Sequence, residues 1–210
     1  MDNKYADVMN LLMEVLQDGK NGNEIPVGIS NRHIHLSQAD LDALFGAGYE
    51  LTKMKDLSQP GQYACKETVT VVGPKGALEK VRILGPVRKE TQIEVIAGDK
   101  FKLGVSGEVR MSGDLAGTPG VTLVGPKGSV QTKAGLIVAQ RHIHMTLADA
   151  ARLGVKNGDI VDIKMNGLRG GIFSNVAIRA NDSSALECHL DTEEANAMGL
   201  TSKSTITIVK

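Results

Sequence analysis

Four of the five histidines in these 210 residues fall in two His-Ile-His triplets, His33-Ile34-His35 and His142-Ile143-His144. On an extended strand, residues i and i+2 project from the same face, with Cα atoms about 6.6 Å apart at strand rise. Two imidazoles at that spacing converge on one ion, and imidazole is a ligand for Zn²⁺, Fe²⁺, Co²⁺ or Ni²⁺. A single His-x-His is a weak signal, because chance pairs on solvated strands are common. Here the surroundings repeat as well. Ser30-Asn31-Arg32-His33-Ile34-His35-Leu36-Ser37-Gln38-Ala39-Asp40 matches Ala139-Gln140-Arg141-His142-Ile143-His144-Met145-Thr146-Leu147-Ala148-Asp149 at a constant offset of 109. Ser37 and Thr146, each followed three residues on by an acid, read as capping-box-like helix starts. Each copy is therefore expected to be an extended segment leading into a short helix. The alternative is a pair of structural turns that happen to use histidine.

Two histidines do not complete a site, since catalytic zinc usually takes three protein ligands and an open position. The fifth histidine is His189, in Leu186-Glu187-Cys188-His189-Leu190-Asp191. Aligning Leu103-Gly104-Val105 with Met198-Gly199-Leu200 gives a second offset of 95, which carries His189 onto Glu94 in Gln92-Ile93-Glu94-Val95. The repeat thus proposes two ligand sets: His33, His35 and Glu94, and His142, His144 and His189. The plainer alternatives are a surface carboxylate for Glu94 and a satisfied buried imidazole for His189. Arg88 lies six residues before Glu94, and the even spacing puts both on one face if the strand begins that early. A guanidinium beside a metal suits phosphate or carboxylate; a surface arginine near a turn is the alternative. Cys188, adjacent to His189, should point into a core, and Cys65 has no histidine nearby, so neither is read as a nucleophile. No Gly-x-Ser-x-Gly elbow occurs.

The elements that position these residues are expected to be short strands. Val72-Gly73-Pro74-Lys75-Gly76 and Val124-Gly125-Pro126-Lys127-Gly128 sit between β-rich runs and read as hairpin turns. They lack the Gly-Lys-Ser/Thr ending of a phosphate loop. Leu103-Gly104-Val105, Leu153-Gly154-Val155 and Met198-Gly199-Leu200 each precede a β-like run. The fold class is therefore mainly β with short helices: two related β-barrels facing each other, with a ligand site between them. Residues 2–17 carry apolar side chains at 5, 8, 9, 12, 15 and 16, one stripe along a helix, followed by an Asp18–Asn23 stretch rich in Gly and Asn. That helix either packs on its own domain or docks on a partner. Lys+Arg and Asp+Glu are 24 each, so a nucleic-acid or anionic-membrane partner is not indicated. No apolar run approaches the ~20 residues of a membrane-spanning helix, and two cysteines fit a reducing interior.

Several motifs together resemble the phosphate propanoyltransferases of bacterial microcompartments, a phosphotransacylase family. They are Gly28-Ile29-Ser30-Asn31-Arg32-His33-Ile34-His35-Leu36, Gln59-Pro60-Gly61-Gln62-Tyr63-Ala64, Leu84-Gly85-Pro86-Val87-Arg88, Arg110-Met111-Ser112-Gly113, Gln140-Arg141-His142-Ile143-His144-Met145 and His189-Leu190-Asp191-Thr192-Glu193-Glu194-Ala195-Asn196. The resemblance covers the chain from about Ile25 onward. It implies a first barrel of residues 25–32 with 140–210, a second of residues 33–139, and a leader helix and linker over residues 1–22. It implies two zinc ions between the barrels. His33, His35 and Glu94 look like ligands of the one that takes the coenzyme A sulfur. His142, His144 and His189 look like ligands of the other. Arg88 looks like the phosphate-binding arginine and Ser112 like a further phosphate contact.

The activity so implied interconverts a short-chain acyl-CoA (propanoyl-CoA, or acetyl-CoA) and phosphate with acyl phosphate and CoA, inside the microcompartment lumen in the cytoplasm. The resemblance also moves the leader helix towards encapsulation, with shell or cargo proteins as partners of residues 1–20, and leaves a homo-oligomer open. Direct attack by phosphate is expected, because no activated side-chain nucleophile is visible. The competing classes are a dinuclear metallohydrolase acting on a thioester or phosphate ester and a non-catalytic, metal-stabilised microcompartment protein.

Overall fold

A computed structural model describes residues 22–209 of the chain; the helix expected over residues 2–17 lies outside the described residues. The chain runs through β1 (Ile25–Ser30), β2 (His33–His35), α1 (Gln38–Phe45), β3 (Lys53–Asp56), β4 (Tyr63–Val72), β5 (Ala77–Gly85), β6 (Gln92–Val95), α2 (Asp99–Leu103), β7 (Val109–Arg110), β8 (Thr122–Val124), β9 (Ser129–Gln131) and β10 (Leu136–Ala139). It continues with β11 (His142–Met145), α3 (Leu147–Leu153), β12 (Ile160–Met165), β13 (Gly171–Ala180), β14 (Glu187–Asp191), α4 (Thr192–Met198) and β15 (Thr205–Val209). The mainly β class with short helices is what the sequence led us to expect. One sheet closes as a six-stranded barrel in the order β1-β14-β11-β13-β12-β15. The other nine strands curl as a half-barrel, in the order β7-β10-β6-β2-β5-β4-β8-β9 with β3 against β4.

The repeat is visible in the strand pairing. β2 lies between β5, parallel, and β6, antiparallel; β11 lies between β13, parallel, and β14, antiparallel. Side-chain alternation then separates core from cleft. Ile34 and Ile143, the middle residues of the two triplets, are fully buried, each in its own apolar cluster. Thr146 starts α3 with a complete capping box closed by Asp149, and Ser37 caps α1 by accepting from the Asp40 amide.

The three glycine echoes that precede β-like runs in the sequence end helices in the structure. Gly104, Gly154 and Gly199 are left-handed stops of α2, α3 and α4, with φ of 74°, 67° and 65°, a conformation that glycine adopts without a Cβ penalty. The two Val-Gly-Pro-Lys-Gly segments do form hairpin turns, between β4 and β5 and between β8 and β9. They also dock on helix ends. The Lys75 amide donates to the Leu103 carbonyl at the end of α2, and the Lys127 amide to the Leu44 carbonyl in the last turn of α1, both at 3.0 Å. A Cβ on Gly73 would lie 2.3 Å from that Leu103 oxygen, and one on Gly125 2.5 Å from the Leu44 oxygen. Helix-end carbonyls that lack an intrahelical partner are thereby satisfied.

Candidate active site

Strand register brings each ligand set together. Across β2 and β6, His33 faces Glu94 and His35 faces Gln92. Across β11 and β14, His142 faces His189 and His144 faces Glu187. In each set of three, the potential ligand atoms lie within 4.8 Å of one another. The two sets share a cleft of about 600 Å³ whose walls come from both sheets, and which Arg88 and Ser112 also line. The sequence-expected residues are thus all gathered in one place.

The first histidine of each triplet is held in one tautomer. His33 Nδ1 donates to the Asn31 carbonyl and His142 Nδ1 to the Gln140 carbonyl, both at 2.8 Å, which turns each Nε2 towards the cleft. His142 Nε2 lies 3.1 Å from His144 Nε2, and His33 Nε2 lies 3.3 Å from Glu94 Oε2. Two ligand atoms of a tetrahedral zinc with bonds of about 2.0–2.1 Å are themselves about 3.3 Å apart, so the donor types suit such an ion and one pair in each set already sits near that spacing. The Nδ1 atoms of His35 and His144 are buried without a hydrogen-bond partner among the described residues.

Electrostatics separates the two sets. Burial, with the neighbouring histidines, pulls His35 down to about 3, His142 to about 4 and His144 to about 3. These imidazoles are neutral at pH 7 and available as ligands. Burial alone would also lower His33, but the Glu94 carboxylate and the Asn31 carbonyl outweigh it and its pKa is raised. Burial alone would raise Glu94, yet His33, then His35 and His142, hold its carboxyl well below the usual carboxylate range. One set therefore contains a charged acid and the other is made of imidazoles.

Arg88 reaches the cleft by a route the spacing did not foresee. It is not on a strand with Glu94, because β6 begins only at Gln92. The β5 ladder ends at Gly85, and Pro86 has no N–H with which to continue it. The Arg88 amide donates instead to the Leu36 carbonyl at 2.9 Å, in a bridge beside Ser37. Its Nη1 donates to Ser112 Oγ at 3.2 Å. Ser112 also accepts from Gln92 Nε2 at 2.8 Å, and Gln92 Oε1 accepts from the Gly113 amide at 2.8 Å. Gln92 donates to Glu94 too, so this one amide joins the Glu94 carboxylate to the Ser112–Gly113 loop. Cys65 and Cys188 are fully buried, and burial raises their thiols to about 11 and about 12; neither faces the cleft as a nucleophile.

Several residues of the cleft were missed from sequence. Gln92 and Glu187 are one pair, related by the offset of 95 that also relates Glu94 to His189. Glu187 accepts from His189 Nε2 at 2.6 Å and bonds Ser58 from the loop between β3 and β4. Gln59 crosses the same gap, donating to the Ala185 carbonyl at 3.0 Å and accepting from the Ala185 amide at 3.2 Å. The arginines preceding the two triplets are anchors: Arg32 pairs with Asp99 and Arg141 with Glu194, both at 2.7 Å. Asp99 and Glu194 again differ by 95. Among the described residues, no helix is long and apolar enough to cross a membrane.

A protein-family profile described as phosphate propanoyltransferase matches residues 26–201. A phosphate propanoyltransferase of Rhodobacter capsulatus is 58% identical, over 89% of this chain and 86% of its own. One from Thermotoga maritima is 54% identical over 97% of each chain. One from Lachnoclostridium phytofermentans is 49% identical over 99% of each chain.

Proposed function

This chain belongs to the phosphate propanoyltransferase family and is an acyltransferase, and from that premise we propose that it interconverts propanoyl-CoA and phosphate with propanoyl phosphate and CoA at a dinuclear zinc site. Acetyl-CoA is a shorter substrate of the same chemistry. The observation that carries this reading is the meeting of two three-residue donor sets and Arg88 in one cleft. His33, His35 and Glu94 would hold one zinc, and His142, His144 and His189 the other. Bound there, zinc supplies a Lewis acid for the thioester carbonyl and a ligand for the departing thiolate.

The chain's own residues do the rest. Arg88, steadied by Ser112, holds phosphate through paired N–H donors, and Ser112 lends its hydroxyl to the same anion. Phosphate is ionised at neutral pH, so positioning replaces a strong general base, and near-attack placement supplies several kcal/mol. Phosphate oxygen attacks the thioester carbon, the C–S bond breaks, and the thiolate leaves as CoA. No acyl-enzyme forms, in keeping with two buried, unactivated thiols.

The two sheets are proposed as two domains: the barrel of residues 25–32 and 140–210, and the half-barrel of residues 33–139. The leader of residues 1–22 is proposed to dock on shell or cargo proteins and carry the enzyme into a microcompartment lumen, where the chain functions as a monomer or a homo-oligomer.

Thiol release from propanoyl-CoA, with and without phosphate and before and after chelation, tests the reading. The expected result is release that needs both phosphate and metal. Release without phosphate indicates a hydrolase, and metal retention without turnover a scaffold; either outcome refutes the proposal. Arg88→Ala should raise the phosphate requirement and cut turnover, and an unchanged phosphate dependence would remove its assigned role.

A further inference from the structure

We propose that Arg179 is a second phosphate-binding arginine, reaching the transferable phosphate from the barrel while Arg88 reaches it from the half-barrel. This rests on the function proposed above. Arg179 lies on β13, directly beside His144 in the strand register, and lines the cleft that holds both ligand sets, Arg88 and Ser112.

Its lack of a protein partner sets it apart. Arg32 pairs with Asp99, Arg141 with Glu194, Arg82 donates to the Cys65 and Lys66 carbonyls, and Arg88 donates to Ser112. Among the described residues, the Arg179 guanidinium makes no hydrogen bond and no ion pair, although it is half-buried. Glu187, the acid on its own side of the cleft, is taken up by His189 and Ser58. Burial lowers the pKa of Arg179, and the Glu94 charge across the cleft opposes that. A guanidinium removed from much of its water and given no internal partner is an open anion site.

The repeat shows that this arginine is not required by the fold. Just as His144 pairs with Arg179, His33 and Ile34 of the other copy pair with Arg82 and Ile83, so Leu84 occupies the place equivalent to Arg179. Leucine serves that strand position in one half. The half whose ligand set has no carboxylate carries arginine.

The ligand class follows from the site. Arg88 and Arg179 line the same cleft, and the Arg179 charge adds to the lowering of Arg88. Two guanidiniums lining one cleft suit a multiply charged oxyanion, and a tetrahedral phosphate presents paired oxygens to both. The phosphates of coenzyme A have the same chemistry. They are separated from the sulfur by the whole pantetheine arm, however, and a thiol beside the histidines would leave them away from Arg179.

Arg179→Ala and Arg179→Lys, made in the full metal-loaded chain, test the assignment. The KM for phosphate should rise roughly 10–100-fold in the alanine variant, the loss of a charge-assisted contact. The KM for acyl-CoA should stay within about twofold. Lysine should restore part of the phosphate affinity, as a point charge without the fork. Phosphate should raise the melting temperature of the unsubstituted chain and not that of the alanine variant, at unchanged metal content. An unchanged phosphate KM in both variants, or a rise confined to acyl-CoA, overturns the assignment. If the unsubstituted chain itself releases thiol without needing phosphate, the proposed function has failed; if it needs phosphate and the variants behave like it, only the role of Arg179 has.

Discussion

Glu94→Gln is the smallest change that should empty one metal site and spare the other. The carboxylate is 12% exposed and uses both oxygens: one faces His33 Nε2 at 3.3 Å and the other accepts from Gln92. A glutamine has the same shape but only one acceptor. If its oxygen faces the metal, its NH₂ group meets the Gln92 donor; if its oxygen faces Gln92, its NH₂ group meets the metal and His33. Either arrangement loses the anionic ligand or a charge-assisted hydrogen bond, the latter alone worth about 1.5–3 kcal/mol. Changing mere supporting residues around a metal weakens it by roughly 10–100-fold, so the direct ligand should cost at least about 100-fold. Competition against a graded chelator, read by metal content per chain, should show two sites in the parent and one tight site in the variant. His189→Ala should leave the complementary single site. A Glu94→Gln protein that keeps both metals at parental affinity would refute the ligand assignment, and a protein that loses both would refute the independence of the two sets.

The remaining predictions concern stability and nucleophilicity. Metal-stripped protein should lose stability as pH falls from about 6.5: the unfolded chain takes up protons at the ordinary histidine pKa, whereas folded His35, His142 and His144 stay neutral down to about 3, 4 and 3. The unfolded state binds more protons over that window, giving a slope of up to about 4 kcal/mol per pH unit for three such groups; denaturant midpoints that do not change between pH 7 and 5 would contradict it. Gln59→Leu should remove both bonds to Ala185 across the cleft, costing about 2 kcal/mol and lowering Tm by roughly 4–8 °C for a chain of this size; a Tm within a degree of the parent would show that the strap carries no load. Cys65→Ala and Cys188→Ala should keep phosphate-dependent thiol release, and both thiols should resist alkylation in the folded protein; loss of turnover with fold and metal intact would point to an acyl-enzyme.

The meeting of the two candidate ligand sets was legible in the sequence because strand register is a linear code. Histidines at i and i+2 fix a face, and a constant offset fixes the partner strand, so Glu94 could be found from His189 without any geometry. Arg179 and Gln92 stand in the same register, yet the offset leads from them to Leu84 and Glu187, and unlike residues give no echo to notice. Arg88 was placed near the site for a reason that did not hold, since its position depends on where β5 stops and on a backbone bridge to Leu36. The glycine echoes precede β-like runs in the sequence and are helix stops in the structure; a turn and a helix stop demand the same residue, and only the backbone angle tells them apart. The closure of one sheet and not the other depends on how strands from distant parts of the chain pair, which local pattern does not encode.

The position of β1 has a consequence for how the molecule is made. This strand leaves the ribosome first among the described elements, yet its neighbours in the barrel are β14 and β15. Ser30 meets Leu190, 160 residues later. At about 5–20 residues per second, synthesis of that interval takes roughly ten seconds or more. Throughout it, β1 waits as an unpaired edge while the half-barrel has its own strands in hand. The last stave is thus the first one made, and β14 and β15, the last of the described strands to emerge, shut the barrel and bring His189 to its partners. A nascent chain stalled before β14 would carry a half-built cleft and an exposed strand, the kind of edge that pairs with other chains.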